Sequence, residues 1–223
     1  MTVLLVLFTF VAFLLIDYFR TRNMVVRPAI EAGAAADTRP RLQPAFVAGF
    51  QIPENLRYHP GHTWALQESP NLVRVGMDDF ATKLTGTVES FALPQRGQWI
   101  RQGQKMCTIH RDGTSVEMVS PIEGTISDIN EAVVANPKLA IGDPYGDGWL
   151  VTVQAPDTKT NFRNLLGGAL ARSWMEEAAN RLQRRIPMAI GALAQDGGVA
   201  MEDVTKHIPD AEWMPLAKEF FLS

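Results

Sequence analysis

Ile109-His110-Arg111-Asp112-Gly113-Thr114-Ser115-Val116-Glu117 is the stretch on which the reading of the fold turns. Apolar and polar residues alternate on either side of Asp112-Gly113, which is the period of a half-buried strand. Asp-Gly tolerates positive φ at both positions, as a two-residue type I′ turn demands, and that turn matches the twist of the strands it joins. The stretch therefore predicts an antiparallel hairpin with strands over 105–111 and 114–119.

Working outward, short runs rich in Val, Ile and Leu alternate with turn residues from Tyr58 to Gln154. They predict strands near 62–67, 71–76, 86–91, 98–100, 122–129 and 149–154, the spacing of a small sandwich or barrel. One short helix is expected at 77–83, opened by Asp78-Asp79, whose charges suit a helix N-terminus. After Pro156 the period changes. Phe162, Leu165, Leu166, Ala169, Leu170, Trp174, Ala178, Leu182 and Ile186 recur every three or four residues and predict one amphipathic helix. Arg163, Arg172, Arg181, Arg184 and Arg185 fall off that stripe, so the helix is expected to pack on the β region with a solvated basic face. Contact with anionic headgroups is the alternative. Pro187 and Gly197-Gly198 interrupt the chain, and a last helix is expected from Pro209 to Phe220. Trp213, Met214, Leu216, Phe220 and Phe221 are too apolar a load for a fraying terminus, which predicts docking on its own domain or on a partner.

The other end of the chain carries a different signal. No charged residue occurs from Thr2 to Ile16; Tyr18 and Phe19 follow, then Arg20, Arg22 and Arg27. A run of this length, extended by interfacial aromatics, reads as a single membrane span over residues 2–19. The arginines on its C-terminal side place that side in the cytoplasm. The expectation is an inner-membrane, single-pass protein with its amino terminus outside, in the periplasm, and the bulk of the chain cytoplasmic. Residues 28–56 contain Pro28, Pro40, Pro44 and Pro53 and hold no sustained period, so they read as extended chain. The apolar patch Phe46-Val47-Ala48-Gly49-Phe50 suggests a strap over a partner's surface; a flexible tether is the alternative. Four segments result: anchor and flank (1–22), strap or linker (23–56), β domain with amphipathic helix (57–186) and C-terminal extension (187–223).

Several chemistries are disfavoured by composition. A net charge of -3 gives no electrostatic case for nucleic acid. Cys107 is the one cysteine, so neither an internal disulfide nor a cysteine metal site can form. His59-x-x-His62 supplies half a metal site at most. Asp78, Asp79, Asp143 and Asp147 sit where turn and helix-start aspartates accept backbone hydrogen bonds. Gly146-x-Gly148 lacks the strand and helix that a phosphate loop needs. No catalytic, metal or cofactor residue is expected, and the chain does not read as an enzyme.

Tyr58-His59-Pro60-Gly61-His62-Thr63-Trp64, Val75-Gly76-Met77-Asp78-Asp79-Phe80-Ala81, Leu93-Pro94 with Gly97 and Gly103, Ser120-Pro121 with Gly124 and Ile129-Asn130-Glu131, and Asn136-Pro137 with Asp143-Pro144-Tyr145-Gly146-Asp147-Gly148-Trp149-Leu150 occur in that order. Together they resemble the landmarks of the glycine cleavage system H protein over roughly residues 57–180. The resemblance implies a mainly β, lipoyl-domain-like sandwich with C-terminal helices, here preceded by one transmembrane helix. It also implies a carrier whose lysine, at the tip of the exposed hairpin, bears a lipoyl arm. Counting back from Ser120-Pro121 puts Gly113 at that position, and no lysine occurs between Lys105 and Lys138. The expected function is a non-catalytic, non-lipoylated accessory subunit of a larger integral-membrane complex, with respiratory or photosynthetic assemblies as hosts by analogy. Phe46, Phe50, Trp174, Trp213, Phe220 and Phe221 are the candidate contacts to partner subunits. Two rivals stand beside it: a membrane-tethered lipoyl carrier modified at another lysine, and a binding module whose segment 110–115 regulates a lipoate-handling enzyme.

Overall fold

A computed structural model describes residues 45–185, 208 and 210–222. The expected span at 2–19 and most of the proline-rich spacer lie outside the described residues. Among the described residues, no helix is long and apolar enough to cross a membrane.

The strands are β1 (Phe46–Val47), β2 (Phe50–Gln51), β3 (Arg57–His59), β4 (Thr63–Ser69), β5 (Leu72–Met77), β6 (Ser90–Ala92), β7 (Trp99–Ile100), β8 (Lys105–Arg111), β9 (Thr114–Val119), β10 (Gly124–Ile129) and β11 (Val151–Gln154). They form an antiparallel six-stranded sheet in the order β3-β4-β5-β11-β10-β7, a three-stranded sheet β6-β8-β9, and the small pair β1-β2. Both larger sheets feed one buried cluster: Trp64, Val73, Val75, Ile126 and Val153 from the first, Ile109, Val116 and Met118 from the second.

Two of the sequence signatures meet in that core. Trp64 is fully buried and sits directly opposite Gly76 in the β4–β5 register. A Cβ at Gly76 would lie 2.6 Å from Trp64 Cζ2, so glycine is what lets the indole lie flat on the strand. Trp64 Nε1 donates to the Pro144 carbonyl at 3.1 Å. The loop that carries that carbonyl is closed by Asp143, whose carboxylate accepts from the Gly146 and Asp147 amides while its own carbonyl accepts from Gly148. The Asp-Pro-Tyr-Gly-Asp-Gly-Trp run is therefore an architectural loop under the tryptophan.

Helices differ more from expectation. Helix α1 spans Asp79–Thr85, not 77–83, because Met77 completes β5 and Asp78 is the N-cap, its side chain accepting from the Ala81 amide. The strand expected at 86–91 reduces to Ser90–Ala92, since Gly86 at φ 66° ends the helix. Two short helices, α2 (Glu131–Ala135) and α3 (Lys138–Gly142), were not expected. Asn130 and Pro137, which begin them, resemble turn residues in sequence. The single helix expected from 162 is two, α4 (Thr158–Arg163) and α5 (Gly168–Arg185). Leu166 leaves the helical path to bridge with Tyr58, and Gly168 at φ 54° restarts it. That break shifts the phase: α5 buries Ala171, Met175, Ala178, Ala179 and Leu182, while Leu170 faces out. Three of its arginines serve the chain's own packing. Arg172 pairs with Glu54, Arg185 pairs with Glu219, and the Arg181 guanidinium lies 5.2 Å over the Phe220 ring.

The last helix, α6 (Asp210–Phe221), is docked on its own domain. The boundaries expected at 57 and 186 are therefore too tight. Phe50, Ile52 and Leu56 before them, and Ile208, Trp213, Leu216, Phe220 and Phe221 after them, belong to the same core.

Candidate functional site

The hairpin β8–β9 has the turn that its sequence predicts. Arg111 faces Thr114 across a two-residue link in which Asp112 (φ 47°) and Gly113 (φ 70°) both take positive φ. Thr114 Oγ1 donates to the Arg111 carbonyl and tightens the turn. Nothing lies within 4 Å of a Cβ built at Gly113, so the tip faces open space.

Just inside the tip, Arg111 is held three ways. Its Nη1 donates to the Thr85 carbonyl at 2.7 Å and its Nε to Asp112 Oδ2 at 3.0 Å. Its guanidinium carbon lies 5.0 Å over the Trp213 ring. Trp213 Nε1 in turn donates to the Leu84 carbonyl at 2.8 Å. The carbonyls left without intrahelical partners at the C-terminal end of α1 thus anchor both the hairpin and α6, a use that helix termini invite. At the other end of the hairpin Lys105 pairs with Glu117.

A lipoyl group needs a primary amine at an exposed tip. The tip offers Gly113, and the lysine on these two strands is ion-paired at their base, so the side chains present do not fit that attachment. Arg111 is no substitute, because its guanidinium is not a primary amine and is turned back onto Thr85 and Trp213.

Behind the hairpin lies a buried polar pair that sequence reasoning treated as two unrelated landmarks. His62 has no exposed surface, takes φ 61°, and donates from Nδ1 to Asp78 Oδ2 at 2.8 Å. The other oxygen of Asp78 caps α1 through the Ala81 amide. The imidazole is stacked on Phe80 at 4.1 Å, with Trp174 at 4.6 Å and Phe220 and Phe221 edge-on. Its Nε2 is buried without a hydrogen-bond partner. Among the described residues, no group of three or more His, Cys, Asp or Glu is placed to hold a metal ion. His59, the other half of the imagined site, accepts from the Gly61 amide at Nδ1. Burial, and secondarily His62, hold the His59 pKa below its usual value.

The second unexpected cluster ties down the strap. Asp79 Oδ2 accepts from the Gln51 amide (2.7 Å) and from Lys83 Nζ (2.8 Å), and Lys83 also reaches the Gly49 carbonyl. Tyr145 Oη donates to the Gln51 carbonyl and accepts from the Asp79 amide. Tyr58 Oη donates to the Pro53 carbonyl. Burial first, and then neighbouring negative charge, push both tyrosines well above the ordinary phenol pKa. The i, i+4 spacing of Asp79 and Lys83 was the one sequence signal of this cluster.

The six residues expected to contact partners are divided by this arrangement. Phe50, Trp213, Phe220 and Phe221 are buried in the chain's own core, and Trp174 is half-buried against His62 and Tyr58. Phe46, 56% exposed, keeps an open ring.

Residues 56–178, more than half of the chain, match the family model described as glycine cleavage H-protein. The chain belongs to the glycine cleavage H-protein family. A relative named "Probable glycine cleavage system H protein 2" from Sulfurisphaera tokodaii is 33% identical over 139 residues, 61% of this chain and 93% of the relative. The glycine cleavage system H protein of an Anaeromyxobacter species is 31% identical over 127 residues, 57% of this chain and 98% of its own. A crystal structure of the Mycobacterium marinum H protein aligns with 57% of this chain and 98% of its own, at 26% identity and a TM-score of 0.48. The matched H-protein domain contains the hairpin, the His62–Asp78 pair and Trp174. Phe46, Phe50, Trp213, Phe220 and Phe221 lie outside it.

Proposed function

We propose that this chain is an H-protein domain without a carrier lysine, used as a fixed accessory subunit and not as a shuttle. Residues 2–19 tether it in the inner membrane with the amino terminus outside, and the H-protein domain docks on the cytoplasmic face of a larger integral-membrane complex. Respiratory and photosynthetic electron-transfer assemblies are the natural hosts by analogy. The observation that carries the reading is the hairpin tip: Asp112-Gly113 in a tight I′ turn, where a lipoyl carrier needs an amine.

Two further observations support it. The chain closest to the apolar amino-terminal run is not a loose tether where it is described, since residues 45–56 are bound to the domain through Asp79, Lys83 and Tyr145. A domain strapped in this way keeps its position, and a swinging carrier gains nothing from it. Family members are carriers and not catalysts, so removal of the carried group leaves binding as the remaining use of the fold.

Intact-mass measurement of the protein from its native membrane is expected to give the unmodified chain. A lipoyl adduct, on Lys105 or on any other lysine, would make it a tethered carrier instead. Mild-detergent purification is expected to co-isolate it with integral-membrane subunits in fixed stoichiometry. Recovery solely as a free monomer would remove the accessory-subunit reading.

A further inference from the structure

Helix α6 packs against β9, the strand that ends the three-stranded sheet. At the tip end, Trp213 sits under the Arg111 guanidinium and donates to the Leu84 carbonyl. At the base end, the Phe221 carbonyl is 2.9 Å from where a Cβ on Gly61 would stand, beside Val119 Cγ2 at 3.0 Å. The two ends of one helix thus lie near opposite ends of the hairpin, Trp213 at Arg111 where β8 ends and Phe221 near Gly61 and Val119 where β9 ends. Residues 210–221 lie outside the family match, while the hairpin lies inside it.

We infer that α6 is an intramolecular lock on the carrier-type hairpin: it covers the β9 flank, so a lipoate-handling enzyme cannot close around the tip. The inference rests on the reading of residues 105–119 as a carrier hairpin without its lysine.

The helix is built to stay because of what it touches, not on its own account. Twelve residues are marginal for an isolated helix in water. Pro215 inside it removes one intrahelical donor and weakens it further. Its buried side chains, Trp213, Leu216, Ala217, Phe220 and Phe221, all face the domain. Its contacts with Arg111 and Leu84 are specific to a docked position, because each aims at a fixed group on the hairpin or on α1. A helix with little stability of its own and strong docking contacts is either seated or undone, which is the behaviour of a lock.

The test restores the amine and then loosens the lock. Gly113→Lys in the full chain gives the tip an amine in open space but puts a side chain at φ 70°, so hydrogen exchange first verifies that β8 and β9 still pair in this variant. It is incubated with a purified lipoate–protein ligase, lipoate and ATP, and read by intact mass, with an ordinary H protein as the positive control for the ligase. The same substitution is then combined with Trp213→Ala, which frees the tip end. Separately it is combined with Gly61→Ala, which pushes on the base end without removing any side chain. Hydrogen exchange verifies that β5 and β11 stay protected while β9 opens. Lipoylation is expected to run about tenfold or more faster in the loosened chains, because modification scales with the fraction of time the hairpin is open. Equal rates in locked and loosened chains, or no modification in any of them while the control is modified, would overturn the lock. A lipoyl adduct on the natural chain would instead overturn the reading beneath it.

Discussion

Gly76 and Gly142 are both glycines of the described domain, yet they carry different constraints. A methyl at Gly76 meets the indole ring at 2.6 Å, whereas a Cβ at Gly142 meets nothing within 4 Å. Gly76→Ala is expected to destabilise by about 1–3 kcal/mol, the usual cost of overpacking a filled core. Gly142→Ala should stay within about 0.5 kcal/mol of the parent in the same urea titration, as a change that touches nothing. Asp78 combines two roles, capping α1 and holding His62. Asp78→Ala removes a cap and strands a buried imidazole N–H, for a combined loss of about 2–4 kcal/mol. Cys107 offers a pH test. Burial pushes its thiol from an ordinary 9.0 up to about 12. The folded state therefore keeps the proton that the unfolded state releases, so its contribution to stability is intact below pH 9 and is lost as pH rises from 9 towards 12. Cys107→Ala should flatten that alkaline fall, and the wild-type thiol should resist alkylation until the fold opens.

At the scale of elements, α1 is where the two ends of the described chain meet. Phe80 on it touches Phe50 of the strap and Phe220 of the last helix, each with ring centroids 4.9 Å away. Polar contacts repeat the pattern, with Asp79 and Lys83 binding the strap and the Leu84 and Thr85 carbonyls binding Trp213 and Arg111. Strap and lock should therefore be energetically coupled. Phe50→Ala and Phe220→Ala each leave a cavity beside Phe80, at about 3–5 kcal/mol for a buried phenylalanine. Measured as a double-mutant cycle, the pair is expected to depart from additivity by at least about 0.5 kcal/mol, as neighbours around one side chain do. Strict additivity would show that the two elements are held independently.

At the scale of the whole molecule, the domain that folds is larger than the domain that matches the family. A chain cut to residues 57–186 loses Phe50, Ile52 and Leu56 at one end and Ile208, Trp213, Leu216, Ala217, Phe220 and Phe221 at the other. The larger of these contribute roughly 1.5–3 kcal/mol each. Their sum is comparable to the roughly 5–15 kcal/mol by which a domain is stable at all. The truncated chain is expected to lose its near-ultraviolet circular dichroism or to aggregate, while a chain beginning at residue 42 should keep a cooperative melt. Residues 45–56, which lead into the family match, are part of the fold and not a loose cord.

What the sequence determined by itself was local or periodic. Asp112-Gly113 between alternating strands sufficed for the I′ hairpin, because a turn's φ requirements are met within two residues. The ordered signatures around Trp64, Gly76 and Asp143 sufficed for the H-protein fold, and the absence of lysine between 105 and 138 could be read directly. The break at Leu166–Gly168 was hidden, because a β-bridge to Tyr58 outweighs an otherwise continuous apolar period. The His62–Asp78 pair was hidden for the same reason, since its partners are 16 residues apart and meet only when β4 and α1 pack. Only the tertiary structure decided what the aromatic residues at the C-terminus cover. Hydrophobicity states that such a face must be buried but carries no information about the surface that buries it, and here that surface is the chain's own hairpin, α1 and His62.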